Sequence, residues 1–140
     1  MDGGFVRGRD AAPRPSADGP IPVGSLVILF TGWQELWDDP VAFLGGGGDG
    51  RHFPGLAPEA ARWLLVDRSV AGIGIDTHGV DGGQDTQYRT NSVVLEHDAI
   101  VLENLTNLHQ LPATGATIVI GVLRLAAGSG SPASVLAFVP

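Results

Sequence analysis

APEAARWLLVDRSVAGIGID, residues 57–76, decides the fold. Pro58 stands where the first turn of a helix tolerates a missing N–H, and Glu59 meets the positive end of the helix dipole. Ala60, Ala61, Trp63 and Leu64 supply a packing face, so the stretch predicts a helix of about three turns, an ordinary length. Val70 to Ile75 then runs apolar without interruption and reads as a buried strand ending at Asp76. A helix feeding directly into a hydrophobic strand marks an α/β chain.

The same reading extends in both directions. Upstream, VGSLVILFTGW predicts a turn and a buried strand over Leu26–Phe30. Residues 34–54 read as loop, made flexible by Gly45 to Gly48, and with no Lys and no following helical pattern they carry no phosphate site. Downstream, a short helix is predicted over 91–96, followed by a strand over 99–102. Two more strands are predicted over 117–125 and 133–139, with GSGSP as the turn between them. Residues 1–20 are rich in Gly, Pro, Asp and Ala without hydrophobic period and predict a mobile, disordered leader. Residues 21–140 are expected to form a single domain, a size that can bury a core unaided.

Composition excludes several function classes. With 8 Lys+Arg and a formal net charge of −7, the chain lacks the basic clusters that phosphate contacts require, so nucleic acid is set aside as a partner. The Cys count of 0 removes disulfides and thiolate chemistry and suits a reducing compartment. No apolar run approaches the roughly 20 residues of a membrane helix, and residues 1–20 lack a signal peptide's apolar core. A cytoplasmic protein with no membrane partner is expected.

Candidate chemistry gathers in DTHGVDGGQDTQY, a polar loop at the C-terminal end of a strand, where α/β folds commonly place sites. Asp76, Asp81 and Asp85 could act together on protons or a hard cation, but Asp is also a good turn residue. Turn chemistry is favoured for Asp81 and Asp85; for Asp76 the two readings stand level. His78 lies in the same loop, where a histidine satisfied by backbone is favoured over one turned into a pocket. His97 and His109 read as exposed or capping, and no two of the four His show a metal-pair spacing. Trp33 and Trp37, four apart, would share one face of a helical turn and line either a pocket or the core. Glu103 directly follows the apolar Ile100-Val101-Leu102, a costly place for a charge unless it has a partner or a purpose.

The order of several phrases adds a resemblance. VGSLVILFTGW, PGLAPEAARWLL, GIGIDTHGVD and AIVLENLTNLHQLPATGATIVIGVLRLAAGSGSP together resemble the C-terminal part of the cyclase family of metal-dependent hydrolases. That family includes bacterial kynurenine formamidase (arylformamidase) and isatin hydrolase. The likeness covers residues 21–140, and ENLTNL followed by LPATGA and GSGSP is its most specific part. It implies an α/β fold of the swivelling β/β/α type, with a mixed β-sheet or barrel core, flanking helices, and part of the fold missing. It also implies hydrolysis of an amide of the N-formylkynurenine type in tryptophan catabolism, with zinc or manganese activating water.

By the same resemblance Glu103 matches the family's metal-ligand Glu, and Asn91, twelve residues earlier, stands where the family has a ligand His. Trp33, Asp76 and His78 would line the substrate pocket, and no residue is assigned a catalytic role. The family's H-x-G-T-H-x-D motif is absent from the sequence. One carboxylate and one amide are too few for a catalytic metal site, so the chain alone is expected not to retain its metal. The expectation is therefore a truncated relative of the arylformamidases whose missing ligands come from a homodimer or a partner chain. The alternative is a non-catalytic member that binds a small aromatic ligand or a protein.

Overall fold

The structure, a computed structural model, describes residues 19–46, 48 and 50–140. Apart from Gly19 and Pro20, the leader predicted over 1–20 lies outside the described residues. The chain divides after Leu108 into two compact units, where the sequence predicts one domain over 21–140.

The first unit is built on three parallel strands, β1 (Leu26–Leu29), β2 (Gly72–Ile75) and β3 (Ile100–Leu102), adjacent in chain order. Helix α2 (Pro58–Arg62) runs on as a π-helical turn over Trp63–Asp67 before β2, and α3 (Arg89–Glu96) precedes β3. Parallel strands require such crossovers, and the helices cover the sheet they connect. The helix predicted from residue 57 onward is therefore present, but its second half is wider than an α-helix. Val70 N–H closes it by donating to Leu64 O, six residues back, and both Leu64 and Leu65 are buried.

The register explains the core. Val27, Ile73 and Val101 are paired across the sheet, as are Leu29 and Ile75, and these residues share one face. Ile73 and Ile75 are fully buried there against Ala61, Leu64, Leu65, Val93 and Val94 from the helices. The alternate positions of β2 are Gly72 and Gly74. A Cβ on Gly72 would sit 2.5 Å from Ile100 O, and one on Gly74 would sit 2.8 Å from Leu105 Cδ1. Leu105 reaches that face because Asn104 takes a left-handed turn (φ 56) immediately after Glu103.

Residues 34–54, read as loop from sequence, contain two short helical pieces. A 3-10 turn spans Trp33–Leu36, and helix α1 spans Pro40–Phe43 with Asp39 as its N-cap. Asp39 Oδ1 accepts from Val41 N and Ala42 N, both at 3.0 Å. The pieces are too short to show a hydrophobic period.

The second unit, His109–Pro140, holds an antiparallel ribbon of β4 (Thr117–Val122) and β5 (Ala133–Phe138). Val119 pairs with Leu136 and Thr117 with Phe138, and Val119, Leu136 and Phe138 are exposed. Among the described residues the sheets are thus one parallel and one antiparallel, and neither closes into a barrel. No described helix is long and apolar enough to cross a membrane.

Candidate functional site

The loop after β2 is held from two sides. Leu56 N–H donates to Val80 O at 2.7 Å and Gly83 N–H to Phe53 O at 2.9 Å, so residues 53–56 run against residues 80–83. The two backbones meet so closely that a Cβ on Gly55 would collide with Gly82 N, and one on Gly83 would lie 2.5 Å from Arg51 O. From the other side Asn104 N–H donates to Thr77 O at 2.9 Å and Leu105 N–H to Ile75 O at 3.0 Å. These bonds set the residues after β3 beside the residues after β2.

A cleft of about 560 Å³ opens between these segments. His78, Asp81, Tyr88, Asn91 and Glu103 line it, together with Phe53. Glu103 is exposed, not buried, which answers the cost its sequence position raises: the strand ends at Leu102 and the carboxylate emerges at the cleft. A Cβ on Gly79 would lie 3.6 Å from Glu103 Oε1, so the carboxylate extends over that glycine. His78 is exposed and stands edge-on to Phe53, with ring centroids 5.8 Å apart and planes at 82°. The pair gives the cleft an aromatic wall.

Three of the five residues picked from the sequence, His78, Asn91 and Glu103, therefore meet in one cleft. Trp33 and Asp76 do not line it. Trp33 Nε1 donates to Phe43 O at 2.7 Å, tying the 3-10 turn to the end of α1. Asp76 is buried and accepts from Thr31 N at 3.0 Å, Thr31 Oγ1 at 2.7 Å and Gln34 N at 3.3 Å. Its carboxylate is spent on the loop that leaves β1. Trp37, on the same turn, stands edge-on to Phe43 with centroids 5.3 Å apart and is 61% exposed.

Asp85 is a turn residue, as its type predicts: Gln87 N–H donates to Oδ1 at 2.9 Å. Oδ2 pairs with Arg89 Nε at 2.8 Å. The Gln87 N–H first, and then Arg89, hold the Asp85 carboxyl below the usual 3.8, while Asp85 raises Arg89. Asp81 differs from its prediction. It is buried and bonds no neighbouring turn; it accepts from Thr90 N at 2.6 Å and from Asn91 Nδ2 at 2.8 Å, at the start of α3. Nine and ten residues separate these partners, so no local spacing in the sequence announces them. His97 caps the other end of α3, its Nδ1 lying 2.8 Å from Val93 O.

Among the described residues no three His, Asp or Glu side chains converge as a cation site. Glu103 and Asn91 face the same cleft and can both present oxygen, the donor type that hard divalent cations take. Mg2+ commonly keeps several waters and binds through one or two carboxylates, whereas catalytic zinc takes about three protein ligands. The oxygen donors of these two side chains suit a hard divalent cation, and among the described residues no third His, Asp or Glu joins them as a ligand set.

A parallel α/β sheet with a cleft at the strands' C-terminal ends defines the general class. The sequence profile of the Cyclase family matches residues 7–82, and the chain belongs to that family. Isatin hydrolase of Roseibium aggregatum is 33% identical over 126 residues, 87% of this chain and 48% of that protein. Among solved structures, isatin hydrolase A from Ralstonia solanacearum superposes with a TM-score of 0.83 at 38% identity, covering 88% of this chain and 48% of its own. An isatin hydrolase bound to the product analogue thioisatinate gives 0.83 at 33% identity, with 88% and 48% covered. The chain spans about half the length of the curated relative it matches.

Proposed function

We propose that this chain supplies one wall of a metal-dependent hydrolase site that opens the amide bond of a small aryl amide. The observation that carries the reading is the convergence of Asn91 and Glu103, twelve residues apart, on one cleft beside the Phe53–His78 pair. Glu103 and Asn91 would hold the cation; when bound, zinc or manganese lowers the pKa of a bound water and polarises the amide carbonyl. Phe53 and His78 offer a planar ligand an aromatic edge. In this reading His78, exposed in the cleft, would be the side chain that passes a proton to the amide nitrogen as the C–N bond breaks. The likeness to isatin hydrolases supports a cyclic aryl amide as substrate, and N-formylkynurenine is the acyclic comparison.

With two oxygen donors the chain alone does not hold its metal. Ligands of the H-x-G-T-H-x-D type, from outside residues 1–140, complete the site in this reading. The test incubates the chain with zinc or manganese and isatin or N-formylkynurenine, alone and mixed with a polypeptide bearing that motif. Turnover only in the mixture is expected, with isatin the better substrate. Metal-dependent turnover by the chain alone would overturn the split site. No turnover in the mixture would sink the hydrolase reading and leave a non-catalytic binder of small aromatics, detected as isatin binding by calorimetry.

A further inference from the structure

Asp81 does more than end a loop. Its Oδ1 accepts from Thr90 N at 2.6 Å and Asn91 N at 3.4 Å, while its Oδ2 accepts from Asn91 Nδ2 at 2.8 Å and Asn91 N at 3.3 Å. The first residue before α3, Tyr88, gives no side-chain cap and sits in a left-handed conformation (φ 53). Asp81 therefore caps the helix from a distance, where a negative charge suits the dipole. A cap needs only the backbone bonds. The bond to the Asn91 side chain is additional.

That bond fixes which atom of Asn91 meets the cleft. An ionised carboxylate only accepts, and an amide has one donating and one accepting end. Asn91 must turn its NH2 to Asp81, which leaves Oδ1 as the end not held there. Asn91 and Glu103 line the same cleft. Asp81 is 4% exposed and already carries these bonds, so it is poorly placed to be a ligand itself. We propose that Asp81 is a positioning residue that locks Asn91 with its oxygen toward the cleft, making position 91 an oxygen ligand for a divalent cation. The proposal rests on the hydrolase reading for the cation and on geometry alone for the lock. A carboxylate placed behind a ligand side chain fixes its orientation and sharpens its donor strength, as outer-shell partners of metal ligands do.

The test has two separable readouts. In the metal-free full chain, NMR of the 15N-labelled protein is expected to show Asn91 side-chain NH2 protons that exchange with water more slowly than those of exposed Gln87. Asp81→Asn keeps an oxygen for the cap but sets an NH2 against that of Asn91, so the amide turns over and the protection is lost. In the chain mixed with the H-x-G-T-H-x-D polypeptide, Mn2+ is expected to broaden the Asn91 side-chain signal. Asp81→Asn should weaken that Mn2+ binding by about ten- to a hundredfold. Fast exchange at Asn91 in the unaltered chain, or protection unchanged by Asp81→Asn, overturns the positioning role. A protected amide that Mn2+ never broadens overturns the cation reading instead. Should Asp81→Asn fail to fold, exchange in the unaltered chain still decides the lock.

Discussion

Thr31 and Asp76, 45 residues apart, meet twice: Thr31 N and Thr31 Oγ1 both donate to Asp76 Oδ1, at 3.0 and 2.7 Å. Gln34 N donates to the other oxygen at 3.3 Å. Asp76 thus joins the end of β2 to the loop leaving β1. The link extends further, because Gln34 Oε1 accepts from Leu108 N at 3.0 Å. Asp76→Ala would strand these donors, and a buried donor left unpaired costs about 1–3 kcal/mol. The expected loss of stability is about 2–3 kcal/mol, read from the urea midpoint. A loss below half of that would show that water replaces the carboxylate.

The two glycines of β2 should not respond alike. A Cβ on Gly72 meets the Ile100 carbonyl oxygen at 2.5 Å, an atom fixed in the sheet, whereas one on Gly74 meets the Leu105 methyl at 2.8 Å. A methyl can move by changing rotamer; a paired backbone cannot. Gly72→Ala is expected to destabilise by about 1–3 kcal/mol, as overpacking does, and Gly74→Ala by less. Equal losses in parallel thermal melts would contradict the ordering.

Asn104 holds the turn that sets Glu103 at the cleft and brings Leu105 over Gly74. Its φ of 56 favours Asn or Gly over other residues. Asn104→Ala should lower stability by about 1 kcal/mol, and Asn104→Gly should restore most of it. Denaturant titration of the two variants checks the pattern, and an Ala variant as stable as the parent would refute the role of the turn.

Glu103 is exposed, so Glu103→Gln is expected to leave stability within about 0.5 kcal/mol. In the mixture with the H-x-G-T-H-x-D polypeptide it should abolish metal-dependent turnover. Calorimetry for stability and a ring-opening assay for activity separate the two effects. Full activity in the variant would remove Glu103 from the proposed site.

Asp85 gives the pH dependence. The Gln87 N–H, and then Arg89, lower its folded value below the ordinary 3.8. A depressed carboxyl contributes stability above the unfolded value and loses it as pH falls through the folded one. The Arg89 side chain is 61% exposed, so solvent reaches the pair and salt screens it. The stability gap between the parent and Asp85→Asn should therefore narrow below about pH 4, and narrow further in 1 M salt. A gap that persists in acid would mean the Gln87 bond survives protonation.

The sequence was legible where local physics is decisive. Pro58, Glu59 and the apolar positions after them marked α2, and the unbroken run to Ile75 marked β2, because helix starts and buried strands depend on neighbours in the chain. It failed for the short pieces at Trp33 and Pro40, which have no room for a period. It also could not settle Asp76 or Trp33, whose partners lie across the fold or ten residues away.

What the sequence determined by itself was the alternation of helix and strand; its phrases also carried the resemblance to the family, and only that resemblance singled out positions 91 and 103. What only the tertiary structure decided was where each carboxylate points. Glu103 looked like a charge entering a core, and it emerges at a cleft because Asn104 turns the chain. Asp76 stood level between turn residue and site residue, and three donors around it make it structural. Asp81 looked like a turn residue, and it caps a helix and holds Asn91. A carboxylate's role depends on which donors surround it, and donors this far along the chain are assembled only by folding.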